Sequence, residues 1–244
     1  MSLKRILRQV RACRSCEADL PFGPRPIVQL APTARFLIIS QAPGSKVHQS
    51  GIPWNDASGD RLREWLKLEC ATFYDEAKVE ILPMGFCYPG AGGNGADNPP
   101  RPECAPLWHS LLLRHLPDLQ LTLLIGQYAH RHYLGAARKA SMTDTVRAFS
   151  EYRPQFFPLP HPSWRSVVWM RKHPWFEDAV IPELRKVDLS VKRVVADRCE
   201  RNIHRHGVQH HAIGDVRQLK PQFTLKTECL TERECPDHRS VHEP

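Results

Sequence analysis

Residues 35–54 read RFLIISQAPGSKVHQSGIPW, and the fold turns on this stretch. Phe36, Leu37, Ile38 and Ile39 form an unbroken apolar run. A strand with one wetted face alternates apolar and polar residues. A continuous run is expected where both faces are covered, as in a parallel sheet between helix layers. Pro43 and Gly44 end the strand. Ligands of open α/β sheets bind just beyond the carboxyl ends of the strands, so the corner from Ser40 to Gly44 is the first place to expect chemistry.

Further strands lie outward from this one. Val79 to Met84 reads as a second, Leu121 to Ile125 as a third closed by Gly126, and Gln155 to Leu159 as a fourth that runs into Pro160-His161-Pro162-Ser163. Ile27 to Leu30 reads as a short edge strand. Helical spacing covers residues 3–12, 60–68 with Ser58 as N-cap, about 103–116, 127–134, 142–149 and 177–187. Residues 45–54, 88–102 and 163–165 read as loop. Strands alternating with helices predict a three-layer α/β/α fold around a four-stranded parallel central sheet. This domain is expected over residues 1–195. Residues 196–244 have few apolar positions and no period, and read as a disordered C-terminal tail.

The 244 residues carry a formal net charge of +8, which points to a polyanionic partner. No apolar run approaches the roughly 20 residues of a spanning helix, so no membrane partner is expected. The opening MSLKRILRQVRACRSC is basic and lacks the apolar core of a secretory leader. The protein is expected in the cytoplasm, where cysteines serve as thiols or metal ligands more often than as disulfides.

Four cysteines stand apart. Cys13 and Cys16 form a C-x2-C pair at the end of the first helix, and Cys87 is followed by Cys104 after sixteen residues. Structural zinc usually takes two tight knuckles, whereas a [4Fe–4S] cluster asks only for four thiolates from suitable directions. Spacing alone puts an iron–sulfur cluster first and leaves zinc and unligated core cysteines open on equal terms.

Taken together, Gln41-Ala42-Pro43-Gly44, His161-Pro162-Ser163 and the C-x2-C…C-x16-C set resemble the uracil-DNA glycosylase superfamily over about residues 1–190. The resemblance is closest to its iron–sulfur, family-four-like bacterial members. It implies a DNA repair enzyme that flips uracil or a related deaminated base out of DNA, hydrolyses its N-glycosidic bond and leaves an abasic site. Within that resemblance Gln41 and Ala42 belong to the catalytic corner, and Pro43 and Gly44 face the base and sugar. Trp54 stacks on the extruded base, and His161 contacts a uracil carbonyl. Ser163, Trp164 and Arg165 enter the minor groove. Cys13, Cys16, Cys87 and Cys104 would hold a [4Fe–4S] cluster, with zinc as the lesser alternative. DNA is the expected partner and a monomer the expected state.

Two positions depart from the family pattern. Its acidic residue in the first motif is Gln41 here, and its uracil-reading asparagine falls at Pro83. Glutamine orients a water but takes no proton, and proline has no side-chain donor or acceptor. His48 and Asp56 stand in the same stretch as substitutes. A lesion-binding protein without catalysis is therefore the alternative, and a zinc-stabilised protein outside DNA repair a third reading.

Overall fold

The computed structural model describes residues 1–93 and 95–187; the tail expected from residue 196 lies outside the described residues. In chain order the elements are α1 (Leu3–Arg11), β1 (Phe36–Ile39), α2 (Ser45–Ser50), α3 (Ala57–Leu66), α4 (Cys70–Phe73), β2 (Val79–Ile81), α5 (Ser110–Leu113), β3 (Leu121–Ile125), α6 (Gln127–Leu134), α7 (Met142–Arg147), β4 (Phe156–Leu159), α8 (Trp164–Lys172) and α9 (Ile181–Arg185). Wider π-type turns at Ala105–His109 and Phe176–Val180 lead into α5 and α9.

The four strands form one parallel sheet in the order β2-β1-β3-β4. Phe36 sits between Val79 and Leu121, and Thr122 pairs with Phe156. Alternate residues feed two separate cores. Phe36, Ile38, Ile81, Leu123 and Phe157 pack under α3 and α9, against Leu62, Trp65, Ile181 and Leu184. Leu37, Ile39 and Leu124 pack under α1, α5 and α6, against Ile6, Val10, Leu112 and Ala129. All of β1 is buried, which is why its sequence shows no alternation. Each fully buried aliphatic or aromatic side chain contributes about 1.5–3 kcal/mol.

The chain leaves β1 for β2 on one side and then crosses to β3 on the other. The order reverses between β1 and β3, and a crevice opens at their carboxyl ends.

Several boundaries differ from the sequence expectation. α3 begins at Ala57 because Asp56, not Ser58, is its N-cap and accepts from the Gly59 N–H at 2.8 Å. β2 stops at Ile81, two residues before Pro83, which cannot donate to a ladder. The edge piece 27–30 is a single antiparallel bridge from Gln29 to Ile81. Residues expected as loop form α2 and α8. Among the described residues no helix is long and apolar enough to cross a membrane.

Candidate functional site

The crevice is a cavity of about 970 Å³. Its wall takes Ser40, Gln41, Ala42, Pro43 and Gly44 from the β1 corner, Trp54 and Asp56 from the turn before α3, and His161, Ser163, Trp164 and Arg165 from the segment after β4. All nine residues expected to act on a base or on DNA therefore meet in one place. Pro83 and Asp97 complete the lining from other loops.

Trp54 and His161 meet across the crevice, their rings stacked with centroids 5.7 Å apart and 25° between planes. Trp54 is buried and holds a left-handed backbone, φ 58°, which costs roughly 1–2 kcal/mol outside glycine. Neighbours from α3 and α4 enforce it. The Arg63 guanidinium and the Tyr74 hydroxyl both donate to the Trp54 carbonyl, at 3.5 and 3.4 Å. Gly59 lets that carbonyl lie against the first turn of α3, since a Cβ there would come within 1.8 Å of the oxygen.

The other wall is tied to the same helix. Arg61 donates to the carbonyls of Pro162 and Ser163 at 3.1 and 2.9 Å. Gly126, φ 83°, closes β3 beside the His161 side chain. Burial pushes the His161 imidazole down to about 4, so at neutral pH it is an uncharged ring with one N–H to donate. Ser163 is the N-cap of α8, and Trp164 begins that helix. The Trp164 indole is 70 % exposed, with the Arg165 guanidinium over its face at 5.1 Å. These residues were expected on a loop; the helix turns them outward from its first turn instead.

The two departures have different consequences. Gln41 lies in the cavity wall without a charge. At Pro83 the backbone carbonyl is bonded to the His109 Nε2–H at 3.1 Å. Burial pushes the His109 ring down to about 4. The cavity does, however, contain carboxylates. A Cβ on Gly44 would lie 3.4 Å from Asp97 Oδ2 and 3.7 Å from Asp56 Oδ2. Partial burial of its carboxyl raises Asp97 above its ordinary value; a hydrogen bond from the Tyr88 hydroxyl opposes this, and the Asp56 charge adds to it. His48, the other proposed substitute, packs against Phe22 and Tyr88, and it is absent from the cavity wall.

A second, smaller cavity is lined by Cys13, Cys16, Cys87 and Cys104, with Leu20, Pro24, Pro26 and Phe86. α1 packs on α5, which brings the C-x2-C pair to Cys104. Backbone N–H groups of Arg25 and Phe86 donate to the sulfurs of Cys87 and Cys104. Burial nonetheless pushes those two thiols up to about 11 and 12. Burial also raises Cys13, but the polar groups of Ser15 and Trp108 beside it outweigh this and hold that thiol below its ordinary value. Among the described residues no group of three His, Cys, Asp or Glu side chains is arranged to hold a metal ion. The four thiols line one cavity, and two of them accept N–H donors; thiolates so supported serve as ligands to iron–sulfur clusters and to zinc alike.

Arg25 links the cysteine cavity to α2. Its backbone N–H meets Cys87, and its guanidinium donates to the carbonyls of His48 and Gln49 at the end of α2.

Sequence reading missed Gly59, Arg61 and Asp97. Only Gly59 left a signal, because a glycine in a helix costs about 1 kcal/mol against alanine and so marks a close approach.

A family model described as the uracil DNA glycosylase superfamily matches residues 27–185. That span holds the β1 corner, the Trp54 turn and the His161 segment, and the chain belongs to the uracil DNA glycosylase superfamily.

Proposed function

We propose that this protein is a monofunctional DNA glycosylase, acting as a monomer on uracil or another deaminated base. The observation that carries this is the Trp54–His161 pair standing across the β1 corner in one cavity. An enzyme that attacks the C1′–N bond must first swing the nucleotide out of its duplex, at a few kcal/mol. Stacking on an indole such as Trp54 returns roughly 1–3 kcal/mol. A residue held between base steps keeps the gap open, and the exposed Trp164 would take that role. The departing base gathers negative charge on its ring and carbonyl oxygens. A fixed neutral imidazole N–H at His161 stabilises that charge as it forms. The amide of Gln41 orients a water without taking its proton.

The four cysteines would hold a [4Fe–4S] cluster, in line with the family-four-like resemblance; their convergence on one cavity supports a metal centre, and the wide C-x16-C gap between Cys87 and Cys104 favours the cluster over zinc. Bound there, the cluster supplies a rigid cross-link between the N-terminal segment and the sheet. The test is a panel of duplexes carrying one uracil, hypoxanthine or xanthine, treated with metal-replete protein and then with alkali. Strand breakage at one of them is the expected result, and breakage at none overturns the proposal. Gln41 and Pro83 favour one other reading, a lesion binder without turnover. Retention of a modified strand with no base released would select it.

A further inference from the structure

We infer that Asp97 is a catalytic residue of this protein: its carboxylate accepts the proton of the attacking water, the task that Gln41 leaves unfilled. The inference rests on the excision reading above. It begins with a cost. A protein of net charge +8 that binds a polyanion keeps two carboxylates in the cavity that would receive it. Both Asp56 and Asp97 would repel a phosphate. A sugar that becomes cationic as its base departs would instead be stabilised by them.

Burial sets the positions. Ser40 and Trp54 at the inner wall are buried, whereas Asp97 faces solvent at the rim. A base seated against Trp54 therefore leaves its sugar toward the rim, beside Asp97 and Gly44. Asp56 is less free to act, because its Oδ1 caps α3 through the Gly59 N–H. Contacts from Tyr88, Gly90 and Ala91 hold Asp97 and its neighbour in place. Ala91 and Asp97 form an antiparallel bridge, the Asn98 N–H meets the Gly90 carbonyl at 2.8 Å, and Tyr88 donates to the carboxylate.

The step balances as a hydrolysis. The C1′–N bond breaks with its electron pair going to the base. Water oxygen bonds to C1′, its proton passes to Asp97, and Asp97 returns that proton to the departing base or to solvent.

The test compares wild type, Asp97→Asn and Asp97→Ala on the lesion duplex that wild type processes fastest, under single turnover. Affinity is measured separately on the same strand with a 2′-fluoro sugar, which resists cleavage. Asp97→Asn is expected to lower the rate about 100-fold or more, with affinity within about threefold of wild type. Added formate is expected to restore part of the rate to Asp97→Ala. A rate for Asp97→Asn within about threefold of wild type overturns the inference and leaves the excision reading standing. A rate loss matched by an equal loss of affinity overturns it as well, since it marks a purely structural role. A wild-type protein that releases no base from any lesion duplex defeats the excision reading, and this inference with it.

Discussion

The imidazole of His161 lies flat against the indole of Trp54, with ring centroids 5.7 Å apart. The two residues come from different segments, the turn before α3 and the stretch after β4, and α3 holds both: Gly59 and Arg63 fix the Trp54 carbonyl, while Arg61 fixes the segment after His161. The slot is thus built from one helix outward, and the following outcomes test it.

Replacing His161 with alanine should lower base release by about 10²–10³-fold, the usual loss of one preorganised donor. Folding should survive, because the residue sits past the end of β4 and outside both cores. Single-turnover kinetics alongside a thermal melt separate the two effects. Full activity in the variant would mean that the cavity has been misassigned.

Gly59→Ala should cost stability and activity together. The new methyl would overlap the Trp54 carbonyl, so the turn must shift or the helix must unwind. Overpacking of this kind costs about 1–3 kcal/mol or more. A melting temperature unchanged from wild type would contradict the described turn.

Stability should fall as the solution is acidified. Burial holds His109, His130 and His161 at about 4, below the 6.5 of a free imidazole. Between those values the unfolded chain binds protons that the folded one refuses, so unfolding gains on acidification. Each ring contributes a slope on the order of 1.4 kcal/mol per pH unit in that window. Denaturant titrations at several pH values from neutrality to about 4.5 measure the sum; a flat profile would show that the rings are solvated.

Glu80 works in the opposite direction. It is wholly buried in β2, accepts from the Ala31 N–H, and is pushed up to about 8 by burial. The folded state holds its proton where the unfolded state has lost it, so stability drains as pH rises from about 4.5 toward 8. Glu80→Gln removes the ionisation, and its gain over wild type should be larger at pH 8.5 than at pH 5. An equal difference at both would refute the assignment.

Cys104→Ser should lower bound iron and sulfide and, with them, the melting temperature. Full metal content in the variant would remove Cys104 from the proposed ligand set.

The strands were legible because β1, β3 and β4 are nearly pure apolar runs, and the Gln127–Leu134 helix carries its own period between two glycines. The corner, the His161 segment and Trp54 were legible as motifs. α2 was not, since its only buried residue is Val47. Nor was α8, which leaves Trp164 and Val168 exposed and buries only Ser166. Asp56 took the cap from Ser58 by local geometry that both residue types favour. Asp97 reaches Gly44 only through the fold, and nothing near it in sequence marks that meeting.

Arg25 gives the cysteine cavity and α2 a shared fate. One residue touches a cysteine sulfur with its main chain and steadies the far end of α2 with its side chain. Arg25 thus ties the cysteine cavity to the end of α2, the helix that follows the β1 corner, without passing through the sheet. Oxidation of the half-buried Cys13 should therefore loosen α2 while the far-ultraviolet spectrum still looks native.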